Sequence, residues 1–181
     1  MAFTSAVNQL LGILTILANA GVILIIVEAL FPGAFPWLRR LVHMHAVKLA
    51  FIVVLVATLG SLTYSDIIGY EPCKLCWFQR IFMYPQVFLL GTALIKKEKI
   101  IVDYSLVLSA LGGLIAGYHY LLQLGIAPAL PCSAVGYSVS CSKQFVLQFG
   151  FISIPYMALS AFALIAGMFL MARLKKNQVV A

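Results

Sequence analysis

Apolar residues run along this chain in five long stretches, at approximately residues 9–30, 46–65, 77–95, 101–122 and 151–172. Each is close to the about 20 residues an α-helix needs to cross the ~30 Å hydrocarbon core of a bilayer. The pattern predicts an all-α polytopic bundle of five membrane spans. The third stretch is the least apolar, because Gln79, Arg80, Pro85 and Gln86 interrupt it. Together the stretches leave no room for a soluble domain of useful size, and no internal repeat or low-complexity linker divides the chain. The expectation is a single integral membrane domain over residues 1–181. A cleaved signal peptide is the competing reading of the first stretch. Residues 1–8 carry no Lys or Arg, however, and the run is longer than the 7–15 residues of a typical signal, so a retained span is favoured.

Packing signals lie within the pattern. Ser109, Gly113 and Gly117, with Gly112 and Ala116 beside them, predict a small-residue face on the fourth span that another helix can approach closely. Pro85 predicts a kink in the third span, whereas Pro155 falls near the start of the fifth, where a missing amide costs little.

Composition strengthens the membrane reading: 64% of residues are hydrophobic and 9% charged, with a mean hydropathy of +1.07. Basic residues then set an orientation. Arg39, Arg40 and Lys48 lie between spans one and two, Lys96, Lys97 and Lys99 between three and four, and Arg173, Lys175 and Lys176 after span five. The positive-inside rule makes that side cytoplasmic, with the amino terminus outside and the carboxyl terminus inside. The net charge of +7 is accounted for by topology and anionic lipid, and a nucleic-acid partner is not expected. His43-Met44-His45 falls on the cytoplasmic side and reads as solvated loop rather than a metal site.

All four cysteines, Cys73, Cys76, Cys132 and Cys141, fall on the extracytoplasmic side in this topology, the compartment in which disulfides persist. Three readings compete. A static framework gains ~2.7 kcal/mol from a bridge closing the loop between Cys132 and Cys141, useful but hardly required in a bundle already fixed by lipid. A four-thiolate zinc site could use the Cys-x-x-Cys, but the second pair is spaced widely for a zinc knuckle and the oxidising compartment competes for its thiols. A redox relay gains most from what surrounds the first pair.

In Pro72-Cys73-Lys74-Leu75-Cys76-Trp77-Phe78-Gln79-Arg80 the thiols run directly into the third span. Pro72 suits a first helical turn, so both thiols sit near a helix N-terminus, where the dipole favours anions. Spacings of three and four residues stack Cys73, Cys76 and Arg80 on one face. Lowering a thiol pKa from ~8.5 to ~6.5 improves it as an attacker only about threefold; the larger effect is on leaving-group ability and redox poise. Arg80 also stands where a charge costs ~2.5–3.5 kcal/mol, which marks it for function unless it snorkels to the headgroups. Neither a haem Cys-x-x-Cys-His, nor an iron–sulfur run, nor a Gly-rich nucleotide loop is present. A lipid-soluble quinone (ubiquinone or menaquinone) is the acceptor that suits the location and a two-electron transfer. Arg80 is the first candidate to hold it, and His119 and Gln79 are weaker ones.

The ordered set of Pro72 to Arg80, Tyr118-His119, Pro131-Cys132, Cys141 and Phe149-Gly150-Phe151-Ile152-Ser153-Ile154-Pro155 resembles the DsbB family over roughly residues 47–172, and its BdbC-type branch in particular. The resemblance implies a four-helix membrane core in the bacterial cytoplasmic membrane. It also implies a reaction that reoxidises an extracytoplasmic thioredoxin-fold thiol oxidase of the DsbA/BdbD kind and passes the electrons to quinone. Carried over by position, Cys132 forms the mixed disulfide with the partner, Cys141 exchanges with Cys73, and Cys76 passes electrons to the quinone beside Arg80, with His119 near it. The span at 9–30 lies outside that core, and the Cys132–Cys141 loop is short beside the long loop of the DsbB branch. The main enzymatic alternative is a thiol reductase of the vitamin-K-epoxide-reductase kind, whose loop cysteines precede the Cys-x-x-Cys instead of following it. A non-catalytic membrane protein held by zinc or static disulfides is the alternative from another class.

Overall fold

A computed structural model describes residues 2–96, 100–128 and 140–174. The described residues form five α-helices: α1 (Ala2–Leu30), α2 (Pro36–Leu62), α3 (Lys74–Lys96), α4 (Ile101–Gln123) and α5 (Ile154–Leu174). A π turn, Thr63–Ile67, extends α2. Among the described residues the one strand-like feature is a bridge between Gln148 and Ile152.

The hairpin between α1 and α2 is tighter than the apolar pattern predicts, because α2 begins at Pro36 and not near residue 46. Leu38, Val42, Ala46, Ala50, Val54 and Thr58 recur every four residues and are all buried, so one inward stripe runs from the first turn into the span. Pro36 needs no amide partner at that position. Glu28, at the end of α1, accepts from the amides of Gly33 (3.0 Å) and Phe35 (2.7 Å) and lies 3.8 Å from Arg39. His43-Met44-His45 is therefore helical, a correction to its reading as loop. Arg40 and Lys48 are exposed, and averaging them with their inward neighbours hid the start of the helix.

α2 packs on α3 and α5, α3 on α4, and α4 on α5, which closes a four-helix ring; α1 lies outside it, along α5. Phe162, Ile165 and Phe169 of α5 fill the centre with Leu90, Ala50 and Val54, all fully buried. The small-residue face of α4 is present but divided. A Cβ at Gly112 would overlap the Phe162 ring, so this glycine permits the close approach of α5. Ser109 turns the other way and, with Ser105, donates to Gln86 Oε1 of α3. α1 is held by Leu164 against Gly21, by Ile25 against Gly167, and by Asn19 Nδ2 donating to the Tyr156 hydroxyl (3.2 Å).

By length and apolar composition, α1, α2 with its π turn, α4 and α5 can each cross a membrane. α3 falls short on composition, but two of its polar residues, Gln79 and Gln86, are buried within the bundle. The surface it presents outward is apolar, with Phe78, Ile81, Phe88 and Ile95 exposed. Beside α2 and α4 it offers lipid the same exterior as they do. α3 is helical throughout Lys74–Lys96, Pro85 included, and α5 begins at Ile154, with Pro155 at its second position.

Candidate active site

The site is built where the ring ends at the π turn. Gly69, at φ 84°, turns the chain out of α2 into the segment ahead of α3. Tyr70 stacks between Tyr64 and Phe145, at centroid distances of 5.8 and 4.9 Å, and so ties that segment to the one ahead of α5. Cys73 then caps α3. Its carbonyl accepts from the Trp77 amide (3.1 Å) and its Sγ from the Cys76 amide (3.4 Å), a thiol in the place of the usual capping hydroxyl. Pro72 thus precedes the cap instead of occupying the first turn.

The two sulfurs are 3.2 Å apart. Closing them to a bond of ~2.05 Å takes a side-chain adjustment of roughly 1 Å and no change in the helix. Cys73 is buried and Cys76 is partly open. The Cys73 thiol is pushed up to about 12, first because its S–H is donated to Cys76 and second by burial.

His119, 1% exposed near the end of α4, makes the densest polar contacts here. Its Nε2 lies 2.9 Å from the Cys141 carbonyl and 3.7 Å from Cys73 Sγ, and its Nδ1 lies 2.9 Å from Gln79 Nε2. A carbonyl can only accept, so Nε2 carries the proton and donates, leaving Nδ1 to accept from the Gln79 amide. Cys73, Cys141 and Leu122 form a small buried cluster around this contact, with Leu75, Cys76 and Ala127 packed on it. Two further bonds hold the same segment to α4: Gln123 Nε2 donates to the Lys143 carbonyl (3.3 Å) and Gln144 Nε2 to the Gln123 carbonyl (3.1 Å). Cys132 and Pro131 lie outside the described residues, as do Lys97, Lys99, Lys175 and Lys176. The ligand atoms of Cys73, Cys76 and His119 fall within 4.8 Å of one another. A metal on that triad would have to displace His119 from Gln79 or from the Cys141 carbonyl.

On its other side Cys76 borders a cavity of about 370 Å³ between α1, α2, α3 and α5. Its polar lining comes from Cys76, Gln79, Arg80, Tyr84 and Ser61 together with Tyr64, Tyr70 and Glu71, and the remainder is mostly hydrocarbon. Arg80 is folded against α2, not extended to the headgroups. Its Nε donates to Ser61 Oγ (3.1 Å) and its Nη2 to the Ser61 carbonyl (3.2 Å), while Tyr84 donates to the same Oγ (3.0 Å). The Trp77 and Tyr84 rings flank the guanidinium at 5.2 and 5.9 Å. The π turn that follows Ser61 widens the helical ladder at this point, a feature common at functional sites.

The structure thus joins Cys73, Cys76, Gln79, His119 and Cys141, and sets Cys76, Gln79 and Arg80 on the cavity. His119 faces the thiols and a smaller pocket of about 20 Å³ beside them. Sequence reasoning missed Ser61 and Tyr84. No motif marks either; Ser61's one signal is a hydroxyl inside an apolar run next to Gly60.

These features define a multi-pass helical membrane protein organised around a thiol pair. The family model for disulfide bond formation protein DsbB matches residues 39–172, and the chain belongs to that family. It is 44% identical over 122 residues, 67% of this chain and 87% of the relative, to "Probable disulfide formation protein C 1" of Bacillus anthracis. It is 42% identical over 129 residues, 70% of this chain and 89% of the relative, to "Disulfide bond formation protein C" of Bacillus subtilis. A protein of Metapseudomonas resinovorans named "Probable disulfide formation protein" is 37% identical over 127 residues, 69% of this chain and 87% of that one. No solved structure gives a significant match. Membership supports an oxidoreductase role in forming disulfide bonds.

Proposed function

We propose that the protein is a membrane dithiol:quinone oxidoreductase that reoxidises an extracytoplasmic thioredoxin-fold thiol oxidase, with its four cysteines on the outer face of the membrane. The observation that carries this reading is the position of Cys76, which is 3.2 Å from Cys73 and also on the wall of an apolar cavity holding a fixed guanidinium.

The cavity suits a quinone ring. Its volume lies within the ~300–1,000 Å³ of small-molecule sites, its walls are largely apolar, and its polar groups lie on α2, on α3 and on the segment that joins them. Arg80 has five N–H donors and uses two on Ser61, so its fork is held still while it faces the cavity. A quinone bound there accepts two electrons and two protons. Arg80 orients a carbonyl oxygen, Gln79 lines the same wall, and Cys76 supplies the electrons as it closes a disulfide with Cys73.

Exchange on the other side restores the dithiol. The packing of Cys73 with Cys141 supports exchange between them: a partner thiolate opens a Cys132–Cys141 disulfide at Cys132, and the released Cys141 attacks Cys73 of the Cys73–Cys76 disulfide. Resolution by the second partner thiol and then by Cys132 leaves Cys73 and Cys76 reduced and the Cys132–Cys141 disulfide re-formed. One partner dithiol is oxidised to a disulfide and one quinone is reduced to the quinol, so electrons and protons balance. Cys73, Cys76 and Cys141 lie at the end of the bundle opposite Arg39, Arg40 and Lys96, which supports an outward-facing site by the positive-inside rule.

The test is reduction of a short-chain quinone by the purified protein with a dithiol substrate under anaerobic conditions. Cys73→Ser and Cys76→Ser should each abolish it. Cys132→Ser should remove the covalent complex with the partner while leaving the Cys73–Cys76 pair able to oxidise and reduce. Continued quinone reduction by a Cys73→Ser/Cys76→Ser double variant would defeat the proposal.

A further inference from the structure

The part of the molecule that the family match leaves unused is α1, which lies ahead of residues 39–172. It nevertheless forms one side of the cavity described above. Leu11, Leu14, Thr15, Leu17 and Ala18 all line it. Thr15 is buried and donates its hydroxyl to the Leu11 carbonyl (2.7 Å), so the wall α1 contributes is apolar in effect. The chamber is therefore two-sided, with hydrogen-bonding groups on α2, α3 and the segment that joins them, and hydrocarbon on α1.

Exposure locates the way in. Leu17 is 61% exposed and Ile52 56%, yet both line the cavity. Leu17 belongs to α1 and Ile52 to α2. On the α5 side, by contrast, the lining residues Ala161 and Phe162 are buried. α1 packs along α5 and touches α2 sparingly, chiefly where Leu11 meets Gly60 and where Glu28 meets Arg39. The cavity thus opens sideways, towards lipid, between α1 and α2.

We infer that α1 forms one side of a lateral doorway for a lipid quinone, and that Leu14 and Ala18 on its inner face set which ring sizes fit. Given the proposed quinone reduction, on which this inference rests, the prenyl tail leaves between Leu17 and Ile52 while the ring lies against Arg80. The residues that choose the acceptor then include a helix beyond the family core.

A benzoquinone carrying a photoreactive azide tests this on the wild-type protein in membranes. Illumination should place an adduct within residues 11–18, suppressed by excess unmodified quinone. Two variants test the size argument in opposite directions: Ala18→Phe should lower the preference for a naphthoquinone over a benzoquinone about tenfold, and Leu14→Ala should raise it. Ile23→Trp, on the lipid-facing side of α1, should leave the preference unchanged. If Ala18→Phe fails to fold, the photoadduct and Leu14→Ala still decide. Protein that reduces the probe but is labelled only on α2, α3 or α5, or whose preference ignores both substitutions, overturns the inference alone. Protein that neither reduces nor captures the probe overturns the functional reading and the inference with it.

Discussion

Replacing His119 by Leu keeps much of the side-chain volume and deletes the bond between α4 and the Cys141 carbonyl. This bond is buried, whereas those through Gln123 and Gln144, which also hold residues 141–144 to α4, are exposed. A typical intramolecular hydrogen bond contributes about 1 kcal/mol net, and losing a buried one costs up to about 2 kcal/mol. Between 1 and 2 kcal/mol corresponds to about 5–30-fold in the population of segments released from the thiol pair. Gln79 also loses its acceptor, but that penalty falls on the contact between α3 and α4. Hydrogen exchange of the backbone amides around residues 141–144 should accelerate by that 5–30-fold, whereas Gln123→Leu should change it about twofold. Reoxidation of a partner dithiol should slow in the same variant more than oxidation of the Cys73–Cys76 pair by quinone. Exchange within twofold of wild type, or a rise spread evenly over the molecule, would refute the assignment of His119 as the tether.

Arg80→Lys should not restore what Arg80→Ala removes, because a lysine cannot reach both Ser61 Oγ and the Ser61 carbonyl from one rigid fork; the KM for quinone should rise at least fivefold in both, and wild-type KM in the lysine variant would contradict this. In the reduced protein, alkylation at Cys73 should stay slow through neutral pH and increase as pH approaches 12, as followed by mass spectrometry. Since the folded value lies above the ordinary thiol value near 9, this group's contribution to stability is complete below pH 9 and is lost as pH rises towards 12. Gly112→Ala should destabilise the bundle by about 1–3 kcal/mol, because the added Cβ meets the buried Phe162 ring. A melting temperature in detergent equal to wild type would contradict that packing.

Sequence and structure agree most closely where the relevant residues are neighbours in the chain. The dithiol and Arg80 fall within two helical turns, so periodicity alone sets them on one side of α3. His119 and Gln79 were legible only as separate weak candidates, since their pairing depends on the register between α3 and α4, a tertiary property. The start of α2 was hidden because hydropathy averages over all faces, whereas burial selects the stripe through Leu38, Val42 and Ala46. Ser61 carried no signal beyond a hydroxyl inside an apolar run. Its role arises from the π turn that follows it and from a guanidinium nineteen positions away in sequence. The small-residue face of α4 was anticipated, but which glycine bears on α5 is decided by where Phe162 lands.

Cys76 borders both hollows of the molecule, the large one beside Arg80 and the small one beside His119. With Phe145 and Ile154, its sulfur is thus a shared boundary between the two. In the proposed reaction a protein substrate outside and a lipid substrate inside need never meet, since neither has to travel past that boundary. Reducing equivalents pass through the partition while the molecules that carry them stay apart, which would insulate the circuit against wasteful direct reaction between its two ends.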